Sequence, residues 1–264
     1  MTTNPSNAPE REANRLTLFW QKFGPNTYPI DIDALVSGTF NGDGFQGSLS
    51  TRLERFDSFE GCLVKTSGTD DWTILLNSRT PNKRRLRFTY AHELGHFMCH
   101  RHLRDRFEDS EATLNDFHSD VEREANIFAS SLLMPANLFR DEFSADPWTT
   151  ELLCAIGSRF ECSLQASALR YINLTSKPCA FIVSRDGMIV WSSKSKTSPF
   201  LRAFKFGDEL PELSYAKNPP PSEVAITDSV QTGYSWSESQ CCKESQYFDY
   251  SGNGFQYTCV EFTG

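Results

Sequence analysis

The motif His92-Glu93-Leu94-Gly95-His96 combines two side chains that bind metals with one that can move a proton. In a helix, residues four apart share a face and lie about 6 Å apart, so both imidazoles can reach one zinc ion at roughly 2.0–2.1 Å. Glu93 could take a proton from a water that the metal acidifies to a pKa of about 7. The motif therefore predicts metal-assisted hydrolysis, although so short a pattern also recurs by chance.

A catalytic zinc needs a third protein ligand, and the segment 120–135 offers one. Its apolar residues recur at three- and four-residue steps, which predicts an amphipathic helix. Glu122 and Asn126 lie four apart beside the apolar stripe. We expect Glu122 to bind the metal and Asn126 to fix the tautomer of a ligating histidine by accepting its remaining N–H. Glu124 lies about 200° round the helix and is expected to point to solvent. A solvated position for Glu122 is the alternative.

The two segments together resemble the ImmA/IrrE metallopeptidases. The similarity runs through residues 88–100 and 122–135, in the family's order and with its short separation, within a region from about residue 30 to residue 175. It implies a zincin-like domain that cuts a helix-turn-helix transcriptional repressor to switch on a stress, phage-defence or mobile-element operon. His100 matches a histidine often found at that offset in the family, and we expect it to pack against or support the metal ligands.

The resemblance also implies a role for each residue of the site. One zinc ion per chain would be held by His92, His96 and Glu122, with Glu93 as the catalytic base. Glu93 would take a proton from the attacking water and deliver it to the leaving amine. Apart from the resemblance, the mechanism needs a donor that stabilises the oxyanion, and the sequence offers three unranked candidates: Tyr90, His118 and Tyr171.

Two cysteines are candidates for an inhibitory ligand. Cys99 follows His92 by seven residues and so shares its helical face, and Cys62 is the second candidate. A thiolate could occupy the open position on the zinc and hold the enzyme inactive. The alternative is that each thiol is a small buried apolar group, as free cysteines usually are.

A short buried strand is predicted at residues 72–77, just before the motif helix, for which Thr89 is the expected N-cap. If this strand lies at the edge of its sheet, an extended peptide can pair with it, as a peptidase requires. A central position in the sheet is equally compatible with the sequence.

Composition favours a cytoplasmic enzyme. The chain has 264 residues, a net charge of -8, and eight cysteines without a CxxC pair, which suits reduced thiols. The N-terminus lacks the basic and apolar regions of a secretory signal, and no stretch approaches the roughly 20 apolar residues of a membrane span. We therefore expect no membrane partner. The sequence leaves the oligomeric state open.

The predicted fold class is α+β in two domains. Residues 1–10 are expected to be disordered, residues 11–177 to form the peptidase domain with its helical surround, and residues 178–264 to form a small antiparallel β-rich domain. A helix pair ends the first domain, at residues 149–159 and 164–173. The second domain contains a predicted hairpin and two further strands, at residues 179–193, 223–226 and 256–262.

The β-rich domain resembles the sensory modules that some family members carry. Cations alternate with aromatic residues in one of its segments, a pattern that suits single-stranded DNA because bases stack on rings while phosphates meet amines. The alternative is a loop with solvated lysines and buried phenylalanines. The residues in question are Lys194, Lys196, Phe200, Arg202, Phe204 and Lys205, with Phe206 beside them.

Two other functions compete with the peptidase. In the first, the chain is a non-catalytic, metal-containing transcriptional regulator that binds DNA or a repressor. Such a structural metal site would not need Glu93, so its presence favours the enzyme. In the second, a zinc hydrolase acts on a non-peptide amide, which would require a closed pocket instead of a strand-lined groove.

Overall fold

The computed structural model describes residues 8–41, 46–109, 120–218, 228–249 and 254–263. These residues contain seven helices and nine strands, an α+β architecture as predicted. The chain divides into two compact units. The first unit comprises Met1–Leu138 and Arg159–Ser163, and the second comprises Phe139–Ser158 and Leu164–Gly264.

The first unit contains four helices and a four-stranded sheet. Its sheet has the order β1-β3-β2-β4, in which β1 runs parallel to β3 and the other neighbours are antiparallel. In chain order the elements are α1 (Ala8–Phe23), α2 (Ile32–Phe40), β1 (Leu49–Glu54), β2 (Gly61–Lys65), β3 (Trp72–Asn77), α3 (Lys83–His100), β4 (Arg106–Asp109) and α4 (Asp120–Leu133).

Strand β3 forms as predicted, but it does not offer a free edge. It pairs with β1 on one side and with β2 on the other, so its backbone groups are taken up by both neighbours, and every second side chain is buried. Among the described strands of this sheet, the outer positions belong to β1 and β4. Of the two alternatives that the sequence left open for residues 72–77, the structure therefore supports the central position.

Helix α3 carries the motif and begins earlier than expected. Its N-cap is Asn82, whose side-chain oxygen accepts hydrogen bonds from the backbone N–H groups of Arg84 and Arg85 at 3.0 and 3.2 Å. Thr89, the expected N-cap, is fully buried inside the helix. The additional turns anchor α3 before the motif begins.

The second unit contains a five-stranded antiparallel sheet with helices from the preceding part of the chain. The sheet has the order β6-β5-β9-β8-β7. Its elements are α6 (Thr150–Phe160, whose last two residues fall in the first unit), α7 (Leu164–Leu174), β5 (Cys179–Arg185), β6 (Met188–Lys194), β7 (Val230–Gly233), β8 (Cys241–Phe248) and β9 (Gln256–Thr263); α5 (Ala136–Phe143) spans the division between the units.

The predicted hairpin joins β5 to β6 through Asp186 and Gly187, both of which have positive φ angles. The division of the chain differs from the boundary expected near residue 177, because the helix pair lies largely in the second unit. Trp148 donates a hydrogen bond to the carbonyl oxygen of Ala180 at 2.9 Å and stacks on Tyr171. These contacts join the segment before α6 and helix α7 to strand β5.

Two of the expected structural segments fall partly or wholly outside the described residues. The predicted strand at 223–226 is one of them, and the first seven residues of the segment expected to be disordered are the other. From Ala8 onward that segment belongs to α1. No helix among the described residues has both the length and the apolar character needed to cross a membrane.

Candidate metal centre

Three side-chain atoms meet where α3 lies beside α4. The Nε2 atoms of His92 and His96 are 3.0 Å apart, and the Oε2 atom of Glu122 lies 3.2 and 3.3 Å from them. Ligands at 2.0–2.1 Å from a tetrahedral zinc would be roughly 3.3 Å apart, so the three atoms fit one such ion. Two imidazoles and a carboxylate are also the ligand types of known catalytic zinc sites. Among the described residues, no other group of three His, Cys, Asp or Glu side chains converges in this way.

A close approach of the two helices lets Glu122 reach the histidines. Gly95 stands between the two ligands on α3, and a Cβ atom there would lie 3.1 Å from Phe128 and 3.2 Å from the backbone of Ala125. A larger residue would therefore press α4 outward. Glycine at the second free position of the motif therefore favours the close packing of α3 against α4.

Asn126 holds the first histidine in the tautomer that a metal requires. Its Oδ1 atom lies 2.9 Å from His92 Nδ1. An amide oxygen only accepts, so Nδ1 carries the proton and the lone pair of Nε2 points toward the other ligands. The sequence placed Asn126 on this face of α4, and the structure brings it to His92.

A second pair of residues supports the other histidine. His100 Nδ1 lies 3.2 Å from His96 Nδ1, and His100 Nε2 lies 3.1 Å from Glu124 Oε2. Burial lowers the pKa of His100, which favours the neutral imidazole. The expectation that Glu124 points to solvent is wrong, since its side chain is 27% exposed and bonds to His100.

Glu93 lies fully buried beside the ligands, against the start of strand β2. A Cβ atom on Gly61 would overlap with the Glu93 carboxylate and would lie 2.5 Å from Thr89. On the other side, the ring of His96 stacks on Phe107 of β4, with ring centroids 4.6 Å apart. Sequence reasoning missed Gly61 and Phe107, because neither belongs to a motif; a glycine at the start of a buried strand is a weak signal of close approach.

Residues 49–171 match the model of the IrrE N-terminal-like domain, in the family described as peptidase M78. Residues 49–171 belong to this family. The match runs from β1 into α7 and includes all the residues that meet at the site. The prediction of an ImmA/IrrE domain is therefore confirmed.

One solved structure with the same fold is described as a Mycobacterium tuberculosis transcriptional regulator. It is 13% identical, with a TM-score of 0.57, and the alignment covers 96% of this chain and 76% of that one. At this identity the likeness concerns the fold alone. A search of curated proteins found no match.

The cysteines of the IrrE N-terminal-like domain are not brought to the three ligand atoms. Burial raises the pKa of Cys99 to about 12, which disfavours the thiolate. Cys62 follows Gly61 on β2, so it faces the opposite side of the sheet from Glu93. There it bonds to Arg106, whose pKa is raised by Glu108 first and by this thiol as well. The geometry gives no support to a cysteine on the metal.

Of the three candidates for the oxyanion donor, Tyr90 lies in the same unit as the metal ligands, and its hydroxyl bonds to other residues there. The Tyr90 hydroxyl donates to Asp33 at 2.8 Å and bonds to Thr51 of β1 at 2.7 Å, whereas Glu93 packs on β2. It lines a separate cavity of about 550 Å³. Tyr171 belongs to the second unit, stacks on Trp148 with centroids 4.6 Å apart, and has its pKa raised to about 12 by burial. His118 lies outside the described residues.

The cation-aromatic segment of the second unit is only partly available to a ligand. Lys194 donates to the carbonyl oxygen of Pro199 at 2.9 Å and lies 5.6 Å from the centroid of Phe204, which packs against the core. Arg202 pairs with Glu238 at 3.5 Å. The exposed members are Lys196, Phe200 (85% exposed), Arg202, Lys205 and Phe206 (83% exposed).

Proposed function

We propose that this chain is a zinc-dependent endopeptidase that cleaves a helix-turn-helix transcriptional repressor. The observation that carries the proposal is the convergence of His92, His96 and Glu122 within 3.0–3.3 Å, beside the buried Glu93. Membership of a peptidase family supports the reaction, and the repressor as substrate follows from the resemblance to the ImmA/IrrE proteins.

The residues of the site divide the chemistry between them. A zinc ion held by His92, His96 and Glu122 would supply Lewis acidity toward the scissile carbonyl and toward water. Glu93 accepts a proton from the attacking water and then gives it to the leaving amine. Gly61 lets β2 approach Glu93 and thereby limits where the carboxylate can lie.

Among the described strands, β4 offers the edge at which an extended substrate would pair. Lys65 N–H donates to the Asp105 carbonyl oxygen, so these two residues form a hydrogen-bonded pair. In an antiparallel ladder, hydrogen-bonded pairs alternate with pairs that are not hydrogen-bonded. Phe107 bonds to β2, while the backbone groups of Arg106 and Glu108 point away from it. Because the Phe107 ring stacks on His96, a peptide paired with β4 would pass close to the ligands.

A single nucleic-acid strand is the proposed trigger. Phe200 and Phe206 present exposed rings, and Lys196 and Lys205 are exposed cations in the same segment. Aromatic rings bind bases of any sequence by stacking, which would suit a sensor of DNA damage or phage replication. The role of the second unit as a sensor rests on this surface.

A non-catalytic regulator is the second candidate function. A protein with this fold is described as a transcriptional regulator, and a binding role is the alternative to catalysis. The regulator would need the metal for shape but would not need Glu93. The two functions therefore differ in what a Glu93 variant does.

The deciding experiment is an assay for cleavage of a helix-turn-helix repressor by this protein. We expect the wild type to cut it, and Glu93→Gln to bind one zinc per chain but lose cleavage, because an amide cannot accept the proton. Asp120→Asn, on the exposed first turn of α4, is the matched control and should cut normally. Zinc binding with no cutting by the wild type, with or without single-stranded DNA, would favour the regulator. Full activity in Glu93→Gln would exclude the mechanism.

A further inference from the structure

His96 is connected to α4 through a third residue. Its Nδ1 atom lies 3.2 Å from His100 Nδ1, and His100 Nε2 lies 3.1 Å from Glu124 Oε2. Both rings are buried, at 0% and 3% exposure, so water does not compete freely for these bonds. The contact differs from that of His92, which bonds to Asn126 directly.

The proton positions along the hydrogen bonds from Glu124 through His100 to His96 follow from the two end residues. Glu124 is a carboxylate and accepts, so His100 Nε2 must carry a proton and donate it. His96 can bind a metal through Nε2 only when Nδ1 carries the proton of its ring, and His100 Nδ1 lies 3.2 Å away, in a position to accept that proton. His96 is left with its lone pair on Nε2, the atom that faces His92 and Glu122. Glu124 thereby determines the tautomer of a ligand that it does not touch.

We propose that Glu124 and His100 are positioning residues that hold His96 in its metal-binding tautomer and orientation. This inference rests on the proposed zinc site and deepens it. One stretch of α4 then supplies a ligand, Glu122, and the groups that orient both histidines, Asn126 and Glu124. Phe107 stacks on His96, so the ring is held by its face as well as through its Nδ1 atom.

Zinc affinity distinguishes positioning from a merely structural role. We expect Glu124→Ala and His100→Leu to weaken the zinc Kd by roughly 10- to 100-fold, the usual effect of losing a partner of a ligating histidine. The amide oxygens of Glu124→Gln and His100→Gln still accept the relevant N–H, so these variants should recover most of the affinity. Asp120→Ala is the control, since this acid lies on α4 outside the network and pairs with Arg123. Thermal unfolding of each metal-free variant reports any change in stability.

The outcomes for the inference and for the proposed function are distinct. A wild type that binds no zinc would overturn both. One zinc per wild-type chain, with an unchanged Kd in Glu124→Ala and His100→Leu, would overturn the inference alone. The imidazole ¹⁵N–¹H spectrum of the wild type gives a second measurement that does not depend on folding of the variants. We expect Nδ1–H on His96 and Nε2–H on His100, and the opposite tautomers would contradict the proposal.

Discussion

The Glu93 carboxylate can occupy its position because Gly61 has no Cβ atom. At this position a methyl group would overlap with one carboxylate oxygen and would lie 3.1 Å from Glu93 Cγ. Because Glu93 is buried, its side chain has little room to move aside. The base is therefore held in place by a strand distant from it in sequence.

Gly61→Ala should consequently act on catalysis more than on metal binding. The carboxylate must shift by a large fraction of an ångström, and a misplacement of about 1 Å can cost on the order of 10²-fold in rate. We expect kcat to fall while the zinc stoichiometry stays at one per chain. Overpacking should also lower the free energy of unfolding by about 1–3 kcal/mol.

Gly38→Ala is the matched control for this substitution. Gly38 lies in α2, and nothing lies within 4 Å of the position that a Cβ would occupy. Alanine is the better helix former by about 1 kcal/mol, so the control should be stable and fully active. If Gly61→Ala retained the wild-type kcat, the strand would have no part in positioning Glu93.

Residues within one helical turn of each other were the predictable part of the site. His92, Glu93 and His96 follow from spacing, and Glu122 with Asn126 follows from the apolar stripe of α4. The inward position of Glu124 could not be predicted from its angle round α4. That angle describes an isolated helix, whereas Glu124 bonds to His100 of another helix. Gly61 and Phe107 depend on tertiary contacts for the same reason.

Strand order decides which backbone can meet a substrate. The sequence predicted β3, but the neighbours of a strand depend on pairing between distant segments, and β3 lies inside the sheet. Strand β4 has only four residues and, among the strands that the structure describes, lies at the outer position next to β2. A strand this short shows too few alternations of apolar and polar residues to be recognised, so the sequence did not predict it.

A proline in β4 should separate substrate binding from folding. In the observed register the Glu108 N–H points away from β2, so Glu108→Pro leaves the ladder to β2 intact. It removes one donor to an incoming peptide and adds a ring at the edge. We expect KM for the repressor to rise about tenfold, the equivalent of roughly 1.4 kcal/mol, with zinc binding unchanged.

Glu108→Ala controls for the side chain in this experiment. It loses the same bond to Arg106 but keeps the backbone N–H. The alanine variant should therefore have nearly the wild-type KM. Equal values of KM in the two variants would mean that the substrate does not pair with β4.

At the scale of the whole molecule, charge opposes the proposed trigger. The net charge of -8 repels nucleic acid, so binding would depend on a local surface and on stacking. Lys196, Arg202 and Lys205 would meet the phosphates, although Glu238 shares Arg202. With two or three phosphate contacts and a factor of about 0.7 for each, log K should fall with log salt at a slope of about -1.4 to -2.

The exposed rings allow a direct test of this surface in the full chain. Replacing Phe200 or Phe206 with alanine should weaken the binding of a single-stranded oligonucleotide by about 1–3 kcal/mol each, since one stacked base is lost. Leu213, 80% exposed, is apolar but cannot stack, so Leu213→Ala is the matched control and should bind normally.

Fluorescence anisotropy at several salt concentrations measures both the salt dependence and the loss of stacking. The rate of repressor cleavage with and without the oligonucleotide links these effects to activity. Equal weakening in all three variants would indicate nonspecific apolar adhesion, and unchanged binding in both phenylalanine variants would remove this surface from any sensing role.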